Sequence, residues 1–155
     1  MEREKVKKIL LFCRDIDGEI KLTTKQLQDY EDAYYTSGGG SLDGMPRAKY
    51  KTTNPTQAAA LNVPAYISGE MRNLEAHIER LAELKAAILQ ELNKLPLCQK
   101  SILYDFYIKG LQWVQISVRV NYSPTQCKNI RNSGLDILGH YFQKNQAIKN
   151  FTYPP

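Results

Sequence analysis

Apolar residues recur at helical spacing along most of the chain. The longest such pattern lies in 65–95, where the spacing alternates between four and three residues and breaks once, at Lys85: Ile67, Met71, Leu74, Ile78, Leu81, Ile88, Leu92 and Leu95. A seam of this kind is typical of a coiled-coil-like helix and needs a partner helix. The N-terminal helices or a second copy of the chain, in a homodimer through the 67–95 seam, could supply it.

The segment before this helix divides into an arm and a linker. Residues 1–36 are predicted to form two helices, the first ending near Asp17–Gly18 and the second beginning at Thr23 or Thr24, where Thr23 has capping-box spacing to Gln26. Residues 37–64 are rich in Gly, Pro, Thr, Asn and Ala, which predicts a flexible linker.

Residues 96–142 are predicted to form a domain of three helices, over 97–108, 112–120 and 124–142. The second helix carries one apolar face at Trp113, Ile116, Ser117 and Val120. Ser123 and Pro124 suit the start of the third, as cap and first helical residue, and its inward stripe is Cys127, Ile130, Gly134, Leu138 and Tyr141. This pattern indicates a helix-turn-helix in an all-α protein, with a frayed tail over 143–155.

A strand is the alternative for the second of these helices, because apolar residues from Val114 to Tyr122 also alternate strictly. We favour the helix, since few other segments could supply partner strands. On the helical interpretation Val114 and Val118 form a second apolar edge, available for packing against the rest of the protein.

The positive charge of the chain is concentrated at its C-terminal end. Residues 1–94 carry 14 Lys/Arg and 14 Asp/Glu, whereas residues 95–155 carry 7 Lys/Arg and only two acids, Asp105 and Asp136. The whole excess of +5 therefore lies in the segment with the helix-turn-helix pattern. Basic charge in this position favours double-stranded DNA as the partner.

Other kinds of chemistry find little support in the sequence. Cys13, Cys98 and Cys127 are widely spaced, and His77 and His140 stand alone, so neither a metal site nor a cofactor is expected. Catalytic groupings and phosphate-binding glycine loops are also missing, and we do not expect an enzyme. No apolar run is long enough to cross a membrane, which predicts a cytoplasmic protein.

The C-terminal third resembles the fourth region of bacterial sigma factors. The likeness rests on LNKLP at 92–96, YIKGLQWVQI at 107–116 and the YS turn at 122–123. More closely, the whole chain resembles the RinA/ArpU-type transcriptional regulators of bacteriophages from Gram-positive hosts. Those proteins pair such a module with a long helix and a loop like the DGMP at 43–46 and NPTQ at 54–57.

The resemblance implies sequence-specific DNA binding and control of phage genes, late ones above all, with host RNA polymerase as a candidate partner. A second sigma-like domain rich in aromatic residues is not seen in this sequence, so we expect an activator or accessory factor and not a complete sigma factor, while the sign of regulation stays open. The helix starting at Ser123 would read bases in the major groove with Thr125, Gln126, Lys128, Asn129 and Asn132. Phosphate contacts would come from Ser123, Arg131, Lys100 and Arg119. Gly134 departs from the alanine usual in such modules and would weaken the helix by about 1 kcal/mol.

Two other functions stay open. A small terminase subunit of a phage also joins a helix-turn-helix to a coiled coil, but it forms a ring of many subunits, so oligomer size discriminates. A helical adaptor that does not bind DNA would leave the polar residues of the last helix without a role.

Overall fold

The computed structural model describes residues 1–35 and 63–154, and every regular element in these residues is helical. The elements are α1 (Arg3–Tyr35), α2 (Ala65–Asn93), α3 (Leu97–Leu103) continued by a π-helical turn (Tyr104–Ile108), α4 (Trp113–Val120), α5 (Pro124–Lys144) and α6 (Gln146–Asn150). The expected all-α fold class is confirmed. Apart from Val63 and Pro64, the linker expected over 37–64 lies outside the described residues, and so do the loop motifs DGMP and NPTQ.

The arm is one helix, and the prediction of two helices within 1–36 was wrong. The Thr23 hydroxyl donates to the Glu19 carbonyl at 2.9 Å, and the Thr24 hydroxyl donates to the Ile20 carbonyl at 2.7 Å. Both threonines thus satisfy their hydroxyls inside a helix, a bonding pattern that competes with capping. Gly18 is exposed, and its helical cost of about 1 kcal/mol is too small to end a helix of this length.

The chain folds into two compact units, which cut across the segments expected from the sequence. The first unit contains Met1–Asp17 and Leu81–Pro155, and the second contains Gly18–Arg80. In the second unit Val63, Ile67 and Met71 are buried, and three residues of α1 pack against them: Leu27, Tyr30 and Tyr34. The first unit has the larger core, to which α1 contributes Val6, Ile9, Leu10, Cys13 and Ile16 and α2 contributes Leu81, Leu84, Ile88 and Leu92.

Most of the apolar seam of α2 is buried within the single chain, whereas Leu74 and Ile78 are only partly buried. Leu81, Ile88 and Leu92 are almost fully buried without any second copy. At the break in the pattern Leu84 is buried instead of Lys85, and the Lys85 ammonium lies 2.6 Å from the Asp17 carboxylate of α1. The structure therefore favours the partner within the chain over the dimer as the cover for this seam.

The tail is ordered as far as residue 154, so the expectation of fraying over 143–155 was wrong for the described residues. The Asn145 side chain caps α6 by accepting from the amides of Ala147 and Ile148. Beyond α6 the rings of Phe151 and Tyr153 each lie 5.7 Å from the ring of Phe12 in α1. Aromatic side chains of this size bury enough apolar surface to hold a short terminal segment in place.

The start of α1 also lies against α5. Arg3 forms a two-pronged ion pair with Asp136, and this hydrogen bond lowers the pKa of that carboxyl. Gly139, three residues after Asp136 in α5, is buried. A Cβ atom at this position would lie 2.7 Å from the Met1 carbonyl oxygen. The packing of α1 on α5 therefore requires a residue without a side chain at 139.

We expect the substitution Gly139→Ala to lower the free energy of unfolding by roughly 1–2 kcal/mol, since the new methyl group must displace backbone. The matched control is Gly18→Ala, where a Cβ atom meets nothing within 4 Å. That change should raise stability by up to about 1 kcal/mol through helix propensity alone. Chemical denaturation followed by circular dichroism measures both. Equal stabilisation by the two substitutions would contradict the close contact.

A second prediction concerns Glu91, which is buried at the end of α2. Burial by itself would raise the pKa of this carboxyl, but hydrogen bonds from Lys94 at 2.6 Å and Asn145 at 2.8 Å, with the Lys94 charge, outweigh burial and lower it. The stabilisation is therefore present above the ordinary pKa of 4.5 and is lost as the pH falls through the lower, folded value.

We expect Glu91→Gln to lower the free energy of unfolding by roughly 1 kcal/mol at neutral pH. The loss is this small because Lys94 is half exposed, so water screens its ion pair with Glu91. The variant should also lose less stability than the wild type between neutral pH and about pH 3. Urea denaturation across this range measures both effects, with Glu83→Gln, a change at an exposed position of α2, as the control. If Glu91→Gln loses as much stability as the wild type when the pH falls, Glu91 is not the source of that loss.

Candidate nucleic-acid interface

α4 and α5 pack against each other and are joined by the three residues 121–123. Gln112 and Gln115 form a capping box at the start of α4, in which the Gln112 amide donates to the Gln115 side chain at 2.9 Å. Asn121 ends α4 in the left-handed conformation, with φ 58°. Ser123 caps α5 by accepting from the Gln126 amide at 3.2 Å, and Pro124 occupies the first turn. Capped ends on both sides favour the helix over the strand alternative for 113–120.

One carbonyl ties the turn to both helices. The Tyr122 carbonyl accepts a hydrogen bond from the Ser117 hydroxyl of α4 and a longer one, 3.8 Å, from the Cys127 thiol of α5. Burial raises the pKa of Cys127, so its sulfur stays protonated and able to donate. The start of α5 is therefore held at a fixed position relative to α4.

A small core supports this pair of helices. Ile102, Ile116 and Cys127 are fully buried, and they are surrounded by Cys98, Phe106, Leu111, Trp113, Val120 and Ile130. Gly134 brings α5 close to α3, since a Cβ atom there would lie 3.0 Å from the Leu103 side chain. The glycine expected to weaken the helix is therefore a site of close packing.

The rest of the described chain does not cover the apolar edge formed by Val114 and Val118. Their exposed fractions are 70% and 74%. α4 has only eight residues and lies on its Ile116 face, so the opposite edge has no neighbouring element in the described part of the chain.

The residues predicted to read bases share one side of α5. Thr125, Gln126, Lys128 and Asn129 are all exposed, in the first two turns of the helix, while Asn132 is partly buried one turn later. From Ser123 to Leu135 the sequence contains no acidic residue. The polar face therefore offers hydrogen-bond donors and acceptors without a negative charge that would repel phosphate.

The residues predicted to contact phosphate are in more varied surroundings. Ser123 is exposed, and Lys100 is partly buried. Arg119 is half exposed, and its guanidinium lies 3.4 Å from the Asp105 carboxylate. Arg131 is partly buried, and its guanidinium donates to Asn132.

Sequence analysis missed the neighbours of Arg119 and Arg131, which are the Asp105 carboxylate and a pair of stacked aromatic rings. Asp105, in the π-helical turn, is buried, and its carboxylate also lies 3.9 Å from the Lys109 ammonium. The rings of Phe106 and Trp113 stack at 4.3 Å, and the Arg131 guanidinium lies 5.1 Å from the Trp113 ring centre. Asp105 could have been suspected, because it is one of only two acids among seven Lys/Arg in 95–155. The sequence spacing of Phe106, Trp113 and Arg131 does not predict that they are in contact.

The described residues, 1–35 and 63–154, contain no cluster of His, Cys, Asp and Glu that could hold a metal ion. Within the same residues no helix combines the length and the apolar character needed to span a membrane. Comparisons with protein-family models, with curated proteins and with solved structures find no match to this chain. The role of α4 and α5 as a DNA-binding helix-turn-helix therefore stays a prediction.

The turn itself gives a testable prediction. Because Asn121 adopts a left-handed conformation, we expect Asn121→Ala to be less stable than Asn121→Gly by about 1 kcal/mol. The two substitutions remove the same side-chain amide, so their difference isolates the backbone conformation. Urea denaturation of both variants measures it, and equal stability would mean that residue 121 is not left-handed in solution.

Proposed function

We propose that this chain is a sequence-specific DNA-binding transcriptional regulator that reads the major groove with α5. The observation that carries the proposal is the exposed polar face formed by Thr125, Gln126, Lys128 and Asn129 at the start of a helix whose position is fixed by a capped, cross-bonded turn. The N-terminal part of a recognition helix makes the base contacts in helix-turn-helix proteins. Gln and Asn side chains suit adenine, and Lys suits guanine or phosphate.

The placement of charge supports the same proposal. Of the two acids in 95–155, Asp136 is paired with Arg3 and Asp105 lies beside Arg119 and Lys109. Lys128 and three further lysines have no ion pair within the part of the chain that the structure describes: Lys100, Lys144 and Lys149. These cations supply the sequence-independent attraction to DNA, and Asp105 keeps it moderate.

The resemblance to RinA/ArpU-type regulators extends the proposal. The protein would act inside the bacterial host cell, on phage genes expressed late, as an activator that works with host RNA polymerase.

The test is binding of the purified protein to fragments of its own genome at two salt concentrations. We expect one discrete site. Asn129→Ala should weaken binding to it by tenfold or more, on the order of a lost base contact. Lys128→Ala should also weaken it, whereas Lys149→Ala, a matched loss of one exposed charge on α6, should have a small effect on all sequences alike. Sequence-blind binding, or none, would overturn the proposal.

One observation favours a helical adaptor as the second candidate. Val114, Val118 and Tyr122 expose apolar surface on and beside α4, where an adaptor could dock a protein partner. The variant Val114→Ser/Val118→Ser separates the two functions, because a DNA reader should keep its site and affinity. The mass of the protein in solution tests the terminase alternative, which requires a ring of many subunits.

A further inference from the structure

The guanidinium of Arg131 is held by two kinds of neighbour. On one side it lies over the stacked rings of Trp113 and Phe106, 5.1 Å and 5.9 Å from their centres. Its Nε and Nη2 atoms both donate to the side-chain oxygen of Asn132, at 3.1 Å and 3.0 Å. A guanidinium has a rigid, planar set of donors and stacks well on aromatic rings, so this arrangement fixes the orientation of the neighbouring amide.

The consequence for Asn132 follows from the capacity of an amide oxygen. That oxygen has two lone pairs, and two N–H groups of Arg131 occupy them. Asn132 is left with the two N–H donors of its amide nitrogen. An asparagine reads adenine by donating to N7 and accepting from the N6 amino group, and the second of these bonds needs the oxygen that Arg131 holds.

Guanine presents the complementary pattern. Its N7 and O6 atoms are both acceptors on the major-groove edge, and an amide that only donates can contact them. Lys128, Asn129 and Asn132 share one face of α5, at helical spacing. Asn132 lies about 4.5 Å further along the helix axis than Asn129, a separation between one and two base-pair steps of about 3.4 Å each.

We propose that Arg131 is a positioning residue that makes Asn132 a donor-only group, so that Asn132 selects guanine next to the base contacted by Asn129. The inference rests on the proposed function and deepens it. It assigns to Arg131 a role in sequence preference, in place of the phosphate contact expected from the sequence. It also assigns different bases to two asparagines on the same face.

The first part of the test needs no DNA. Nuclear magnetic resonance of the side-chain amides should show the Asn132 signals shifted in Arg131→Lys, which keeps the charge but cannot stack and donate twice to one oxygen. The Asn129 amide, exposed on the same helix, is the internal control and should not shift. Unchanged Asn132 signals would overturn the proposal, and circular dichroism shows whether the variant is folded.

The second part measures base preference at the binding site selected by the wild type. Asn132→Ala should lose roughly five- to a hundredfold of the preference for guanine at one position, the range of a good base contact. Asn129→Ala should act at the neighbouring position. Arg131→Lys should admit adenine where the wild type requires guanine, with little change at other positions.

The outcomes separate this inference from the function on which it rests. Specific binding with adenine preferred opposite Asn132 would overturn the inference and leave the regulator standing. If Arg131→Lys weakens binding equally on all DNA sequences and makes the salt dependence shallower, Arg131 contacts phosphate and the inference is overturned. Absence of any specific site would overturn the proposed function and the base assignment together, while the amide signals would still show whether Arg131 fixes Asn132.

Discussion

The apolar seam of α2 is the constraint on which the other packing depends, because such a row of Leu, Ile and Met side chains is costly to leave in water. In the first unit Leu81, Leu84, Ile88 and Leu92 are buried together with the apolar residues of Met1–Asp17. That requirement brings the start of α1 into the C-terminal module. The contacts of α1 with α5 and with the aromatic tail then complete a core to which residues 96–142 contribute only a part.

The parts of this fold that the sequence predicts are those decided by neighbouring residues. The start of α5 follows from the cap at Ser123, and the extents of the two helices follow from an apolar stripe in each, at Ile116 in α4 and at Cys127 and Leu138 in α5, whereas the cap at Gln112 was not predicted. The continuous α1 was not predictable in this way. Gly18 and Thr23 satisfy local rules for a break, and the helix passes through them because each half packs into a unit, the first through buried residues from Val6 to Ile16 and the second through partly buried Leu27, Tyr30 and Tyr34.

Tertiary contacts decide the features that sequence analysis missed. The tail is ordered by Phe12, which lies more than a hundred residues away in the chain. Of the candidate site, the exposure of Thr125, Gln126, Lys128 and Asn129 was predictable from helical periodicity, whereas the setting of Arg131 was not. Its two aromatic neighbours come from separate elements, and periodicity along one helix carries no information about either.

The structure also separates the candidate functions physically. A DNA reader uses the polar face of α5, where the exposed groups donate and accept hydrogen bonds. An adaptor needs apolar surface, and in this module that surface lies at Val114 and Val118 of α4. A terminase ring needs an interface between subunits, and most of the α2 seam is already buried within the chain. Since the DNA reader and the adaptor depend on different surfaces, substitutions confined to α4 or to α5 affect one of these two functions at a time, whereas a terminase shares the helix-turn-helix with the DNA reader and differs from it in the interface between subunits.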